Sequence, residues 1–469
     1  MVSDTPGGGS SIPLAVRLVL PGFLVAFVGL HLLGPVSEPD TFWHLAAGDW
    51  LRHEWQFVVT ADPWSADASR PWVLNQWLAE LTMSLWQEWF GLAGIAWLRI
   101  LLAMAATFAV WLTCRERASI LVASLVSVVA LVGMIGSFSA RPQLASFVLT
   151  PIFVGAWLRT ADDGRARWWL IAISWLWACL HGLWVIGPAI GLVTVIGMAL
   201  DGKVGVRAAV RLLVIPIAAV GVAAMTPLGL SIFGNLEQVG SITGYISEWH
   251  PLSLSDPALV AALALVSLPV LENLRSRSSE PWVVVLLLGL STALILLYAR
   301  TVPVGAAIAA PLAAGALQRI SKVPREARTL REITLTSTFL VGALTVAAVV
   351  APAEASQPAG QPAALSRELA SLPDGTRLCN DMTMGGWLIW AHPELKVGID
   401  GRAELYSVSQ LDAYGRFVAV QPGWTSYLRS VPCSYALFPE TEPVVSALKE
   451  QQGWQVVATG DGAVLLRER

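Results

Sequence analysis

The stretch Glu38-Pro39-Asp40-Thr41-Phe42-Trp43-His44 follows the first long apolar run, residues 13–34, and so stands where the chain has just left a bilayer. If residues 41–54 are helical, Asp40 and His44 lie four residues apart and share one face. A carboxylate beside an imidazole at a membrane surface is equipment for proton transfer. An Asp ahead of a helical run is also an ordinary N-cap, and spacing alone leaves both readings open.

The surrounding composition sets the class. Of 469 residues, 55% are apolar and only 13% charged, with a positive mean hydropathy. That is an α-helical polytopic membrane protein rather than a soluble domain. The first apolar run has neither a charged leader nor a small-residue cleavage site beside it, and reads as a retained span. No basic cluster with interleaved aromatics is present, so nucleic acid is not an expected partner. The cysteines, Cys114, Cys179, Cys379 and Cys433, show no metal-ligand spacing. Cys379 and Cys433 share the C-terminal region, where a disulfide is one option.

At about 20 residues per crossing, spans are expected at 13–34, 92–113, 118–137, 143–159, 168–181, 183–200, 207–229, 256–272, 281–299, 301–318 and 333–352, or about eleven transmembrane helices. Residues 168–200 are too long for one helix and short for two. Lys and Arg decide the matter, because they should gather in alternate loops. They do so at Arg115 and Arg117, at Arg159, Arg165 and Arg167, at Lys203 and Arg207, at Arg275 and Arg277, and from Arg319 to Arg331. A single span at 168–200 would put every later basic loop on the wrong side, so the break falls at His181-Gly182. The N-terminus is then inside and the C-terminus outside.

Between the first two spans, an outer loop at 35–91 is too long to be a connector. Trp43, Trp50, Trp55, Trp64, Trp72 and Trp77 crowd it, and Trp favours the headgroup level. Helices at 41–54 and 75–90 are expected to lie along the outer surface, joined by turns at 61–71. After the membrane domain, 1–352, a Pro- and Ala-rich linker at 353–361 leads into residues 362–469. There β-rich runs alternate with helical patterns, as in a small α/β extracytoplasmic domain.

With that topology, Asp40, His44, Asp62, Arg141, His181, Glu248, His250 and Arg300 all fall at or near the outward ends of spans. Ionisable groups at membrane depth are costly and usually line a functional cavity. Arg141 and Arg300 could equally snorkel to headgroups, and His181 could simply serve its turn. Asp400, Arg402 and Glu404 follow a strand end, where α/β folds present functional groups. Turn chemistry at Asp400-Gly401 accounts for the same letters.

The segments EPDTFWHLAAGDWLRH (38–53), TADPWS (60–65), RPWVLNQWLAE (70–80), SARPQLASF (139–147), LWACLHG (176–182) and ISEWHP (246–251) resemble a family of bacterial polytopic GT-C-type glycosyltransferases. CNDMTMGGWLIWAHPELKVGIDGRAELY (379–406) is similar to the outer domain of the same proteins. More distantly the chain resembles oligosaccharyltransferases and protein mannosyltransferases, which carry a catalytic acid in the first outer loop and use a polyprenyl-phosphate-linked donor. The resemblance implies that Asp40 is that acid. The tryptophan-tryptophan-aspartate signature of oligosaccharyltransferases is absent, so sequon recognition does not carry over. No second acidic metal pair stands out, which leaves a divalent cation, Mg or Mn, open.

The expectation is therefore an integral-membrane glycosyltransferase of the bacterial cytoplasmic membrane, transferring a sugar to a glycan, lipid or protein acceptor of the cell envelope on the outer, periplasmic face. Asp40 and His44 would handle the acceptor proton, and Arg300 or Arg141 the donor phosphate. Asp62, His181, Glu248, His250, Asp400, Arg402 and Glu404 would line the cavity. The alternatives are a lipid or glycan flippase, which should show internal repeats and midplane polar groups, and a non-catalytic envelope assembly protein.

Overall fold

A computed structural model describes residues 14–65, 67–240, 243–277 and 280–469. Pro13, where the first span was expected to open, lies outside them. The chain is mostly helical. Seven helices among the described residues are long and apolar enough to cross a membrane: Trp77–Arg115, Gln143–Asp163, Gly182–Leu200, Val206–Ala223, Pro257–Ser276, Ala299–Ser321 and Leu330–Glu354. Shorter apolar helices, Val19–His31, Ile120–Val132, Trp169–Leu180 and Trp282–Leu297, stand at the other positions where the sequence places spans.

Small side chains set the middle of the bundle. The helix Val302–Ser321 is buried continuously from Val302 to Ala314, a run of Ala, Val, Gly and Ile broken by Pro303, Pro311 and Leu312. Small residues let neighbouring backbones close in, which is how helices associate where lipid offers no hydrophobic drive. The helices Val206–Ala223 and Leu330–Glu354 instead turn large apolar side chains outward, among them Val210, Ile217, Val341 and Val349. The basic loops gather at one end of this bundle. There Arg115 binds Glu332 at 2.9 Å, Arg117 binds Asp162 at 2.8 Å, Arg159 binds Glu116 at 2.6 Å and Arg319 binds Glu272 at 2.9 Å.

Toward the other end, the outer loop folds as the helix Pro39–Glu54 and a short antiparallel pairing of Val58–Val59 with Trp72–Val73. The helix opens two residues earlier than its expected start at residue 41, because proline's fixed φ and missing N–H suit the first helical position. The following helix leaves helical geometry at Gly91 (φ 63°, ψ −165°), which separates the surface segment from the span. Between Trp169–Leu180 and the turn Gly182–Val185 the chain breaks at His181, which is extended (φ −163°, ψ 144°).

Residues beyond the last long helix build a five-stranded sheet in the order Lys396–Val397, Arg377–Asn380, Tyr435–Pro439, Ala463–Arg467, Gln455–Gly460. The first two pairings are parallel and the last two antiparallel. The helices Met382–Ala391, Val408–Val418 and Pro443–Gln452 accompany it. Cys379 and Cys433 form a disulfide with a Cα–Cα distance of 5.5 Å. The linker expected from residue 353 begins only after Glu354. One hydrogen bond lost at Pro352 does not end a helix of 25 residues.

This region is docked rather than tethered. Pro358 forms a parallel bridge with Val36. The Val397 N–H donates to the Trp64 carbonyl at 3.0 Å, so the outer loop extends the sheet edge. Phe42 meets Trp390 with ring centroids 5.5 Å apart, which seats the helix Met382–Ala391 on the helix Pro39–Glu54.

Candidate functional site

Asp40 stands in the first turn of its helix, but its side chain does not cap it; the N-cap position is Glu38, which makes no side-chain cap either. Instead Asp40 Oδ1 accepts from Trp43 Nε1 at 3.0 Å, and Oδ2 accepts from Arg141 Nη1 at 2.7 Å. Arg141 reaches this place because the chain is irregular between the helices Ile120–Val132 and Gln143–Asp163, where Ser139 Oγ accepts from its Nε at 3.2 Å. Only 8% of the Arg141 side chain is exposed. The guanidinium also donates to Glu248 and lies 3.7 Å from Glu38.

The cluster continues through a short helical turn, Ala299–Thr301. Arg300 Nη1 donates to Glu248 Oε2 at 3.3 Å, and its guanidinium lies 5.8 Å above the Trp249 ring. Its Nη2 is 3.5 Å from His181 Nε2. His181 Nδ1 in turn bonds Ser146 Oγ at 2.8 Å, and that hydroxyl accepts from Trp177 Nε1 at 2.7 Å. Five residues that sequence reasoning put near the outward ends of spans, Asp40, Arg141, His181, Glu248 and Arg300, thus form one polar chain.

Burial pushes the Glu38 carboxyl up, with Arg141 pulling against it. Burial opposes ionisation of Glu248 too, but Arg141 and Arg300 together hold its carboxyl below the usual range. On its other side Arg141 borders an apolar groove of about 170 Å³ lined by Met83, Ile95, Leu98, Leu102 and Leu144.

His44 does not pair with Asp40. Its Nδ1 lies 3.0 Å from Glu80 Oε1, with both side chains almost fully buried. The approach depends on Gly48, where a Cβ would come within 2.0 Å of the Glu80 carbonyl oxygen. Burial, reinforced by the charge of Arg141 and of the His181 and Arg300 side chains, keeps the His44 ring neutral by lowering its pKa well below the ordinary value. Sequence reasoning missed Glu80, and the signal it offered was a lone acid in the apolar run Trp77-Leu-Ala-Glu80-Leu-Thr-Met. It missed Glu38 as well, one residue before the helix.

Asp62, Asp400 and Arg402, expected to line an acceptor cavity, form a separate buried knot. Arg402 Nη1 donates to Asp62 Oδ2 at 2.6 Å and Nη2 to Asp400 Oδ2 at 2.8 Å, while Tyr406 Oη donates to the same Asp400 oxygen at 2.9 Å. The guanidinium lies 5.0 Å from the Trp64 ring centroid and 4.5 Å from that of Trp72. Asp400 and Arg402 are 0% exposed, so they cannot touch a bound acceptor; they bolt the outer loop to the sheet. Glu404, half-buried on the next turn, has its carboxyl pushed up to about 6, chiefly by burial. His250 is exposed and is tied in through its carbonyl, which accepts from the Ala299 N–H at 2.9 Å.

Among the described residues no group of three or more His, Cys, Asp or Glu is arranged to hold a metal. The carboxylates that converge, Glu38, Asp40 and Glu248, face Arg141, and both oxygens of Asp40 and of Glu248 already accept N–H donors. In this arrangement guanidinium and indole N–H groups satisfy that set.

No family model and no curated protein matches the chain. Among solved structures it is similar to the crystal structure of the Archaeoglobus fulgidus oligosaccharyltransferase tethered, through a disulfide bond, with an acceptor peptide containing the NVT sequon. The TM-score is 0.56 at 12% identity, over 90% of this chain and 69% of that one. The likeness is one of fold: the chain has a distant oligosaccharyltransferase-like architecture.

Proposed function

We propose that this chain is an integral-membrane glycosyltransferase that moves a sugar from a polyprenyl-phosphate-linked donor to a cell-envelope acceptor on the outer face of a bacterial cytoplasmic membrane. The observation that carries the reading is the chain Asp40–Arg141–Glu248–Arg300, set beside an apolar groove at the end of the bundle remote from the basic loops. In this reading the bundle spans the membrane about eleven times, with the N-terminus inside. The Cys379–Cys433 disulfide supports an oxidising, extracytoplasmic setting for the C-terminal region.

In the reaction the acceptor hydroxyl oxygen bonds to the anomeric carbon while the bond from that carbon to the phosphate oxygen breaks. The hydroxyl proton passes to the Asp40 carboxylate, and the polyprenyl phosphate leaves with the bonding electron pair. Trp43 and Arg141 fix the two oxygens of Asp40 in position, which is a pre-organised placement of the base. Arg141 is occupied by carboxylates, whereas the Arg300 contacts, at 3.3 and 3.5 Å, are longer and leave it able to turn to an anion. We therefore assign the leaving phosphate to Arg300, whose fork of donors suits it, and the holding of the base to Arg141. The groove beside Arg141 suits the first isoprene units of the lipid. The positive charge that a cation would supply comes here from arginine.

The experiment is turnover by the purified protein with a panel of polyprenyl-phosphate sugars. Asp40→Asn is expected to bind donor and transfer nothing, and Arg300→Ala to lose donor binding. Undiminished transfer by Asp40→Asn removes Asp40 from the mechanism, and absence of transfer from every donor overturns the reading.

A further inference from the structure

A second pocket, of about 290 Å³, opens where the outer loop meets the sheet domain, away from the Asp40–Arg300 chain. Its polar lining includes Asp67, Ser409, Gln410, Ser426, Tyr427 and Ser430. The size sits at the lower edge of the roughly 300–1,000 Å³ typical of small-molecule sites. Lys and Arg are absent from the lining, and with a carboxylate on the wall the pocket repels anions. A single carboxylate among hydroxyls is also a poor ligand set for a divalent cation.

The decisive group is Tyr427. Its side chain is 3% exposed, and its hydroxyl has no hydrogen-bond partner among the described residues. A buried hydroxyl without a partner costs roughly 1–3 kcal/mol, which calls for an explanation. The ring cannot turn away from the pocket to find a partner, since it stacks on Phe417 at 4.7 Å and meets Tyr414 at 5.8 Å. Asp67 is tethered through its backbone. Its N–H donates to Ser65 Oγ at 3.4 Å and its carbonyl accepts from Gln410 Nε2 at 2.6 Å, while none of the described hydrogen bonds reaches its carboxylate. The charge of Asp67 adds to burial in raising the Tyr427 pKa, and burial raises that of Asp67 against the pull of Arg377.

A fixed phenol that can donate, a carboxylate on a tethered backbone that can accept and hydroxyls that do either together match a neutral polyol. We propose that this pocket binds one hexose ring, with a sugar hydroxyl donating to Asp67 and a sugar oxygen accepting from Tyr427. Gly398 and Ile399 line the pocket, and two residues on, Gly401 packs against Asp40. The pocket thus adjoins the loop that walls the acid. Its use as an acceptor-glycan subsite rests on the transferase reading; the binding itself does not.

The test is saturation-transfer NMR on the full-length protein in detergent with the methyl glycosides of glucose, galactose, mannose and N-acetylglucosamine. At least one is expected to bind with a dissociation constant on the order of 1 mM, and Tyr427→Phe and Asp67→Asn are each expected to weaken it about tenfold. Tyr427→Phe removes one oxygen and keeps the stacked ring, so its fold is retained. Absence of binding by all four glycosides, or equal binding by both variants and the native chain, overturns the inference. Sugar binding in a protein that transfers from no polyprenyl-phosphate sugar leaves this site standing and removes the transferase reading. Transfer that depends on Asp40, without sugar binding here, does the reverse.

Discussion

Asp40 and Gly401 lie against each other across the seam between the membrane bundle and the sheet domain: a Cβ on Gly401 would fall 2.2 Å from Asp40 Oδ1. The acid is therefore walled by the far end of the chain as well as by Arg141 and Trp43. Gly401→Ala is expected to displace the Asp40 carboxylate and lower kcat at least tenfold. An alanine variant with native kcat would show that the wall does not position the acid.

The Arg402 knot should matter to stability instead. Arg402→Leu leaves Asp62 and Asp400 as buried charges without their partner, and breaking a buried pair in this way costs about 3–5 kcal/mol. Thermal unfolding of the purified protein should show the loss, with proteolysis beginning in the outer loop. Arg402→Lys should recover part of it, because an ammonium restores charge but cannot span Asp62 and Asp400 as a fork while lying between two indoles.

Glu404 gives a pH dependence with a defined sign. Its carboxyl is raised from 4.5 to about 6 in the folded protein. The neutral form is favoured by folding, so its contribution is fully present below pH 4.5 and is lost as pH rises through about 6. Glu404→Gln should therefore be more stable than the native chain at pH 8, by about 2 kcal/mol at most, and no more stable at pH 4.5. Thermal melts at the two pH values check this, and an equal gain at both would mean that ionisation is not the cause.

Reduction of the Cys379–Cys433 bridge, which closes a loop with a sequence separation of 54, should destabilise the sheet domain by about 4 kcal/mol on the chain-entropy account. In intact cells the same pair gives a check on sidedness. A Cys379→Ala variant exposes a lone Cys433 that should react with a membrane-impermeant maleimide after mild denaturation from outside. Labelling only after cell lysis would put the domain on the other side of the membrane.

Chelation bears on the arginine-for-cation arrangement. Transfer should be unchanged in EDTA, and the native protein should bind no Mn at the Asp40 cluster by electron paramagnetic resonance. Arg141→Ala, which uncovers Glu38, Asp40 and Glu248, is expected to acquire such a signal. Loss of activity in EDTA that Mg restores would refute the arrangement.

Local signals made much of this legible in the sequence. Apolar runs of bilayer length marked the helices, because a span must satisfy its backbone internally whatever its neighbours are. The break at His181-Gly182 followed from charge parity, and alternation of short β-rich runs with helical patterns marked the sheet domain. The grouping of Asp40, Arg141, His181, Glu248 and Arg300 could be suspected from their shared end of the bundle. Their pairing could not. Spacing along a helix placed His44 beside Asp40, yet packing at Gly48 gave it to Glu80, a choice made by how closely two backbones approach. The same holds for Arg402, whose partners Asp62, Trp64 and Trp72 belong to a loop more than 300 residues earlier in the chain. Hydropathy and charge determine which segments enter the membrane and which end each polar group occupies; which of those groups touch is decided by tertiary packing, because contact depends on distances that periodicity does not encode.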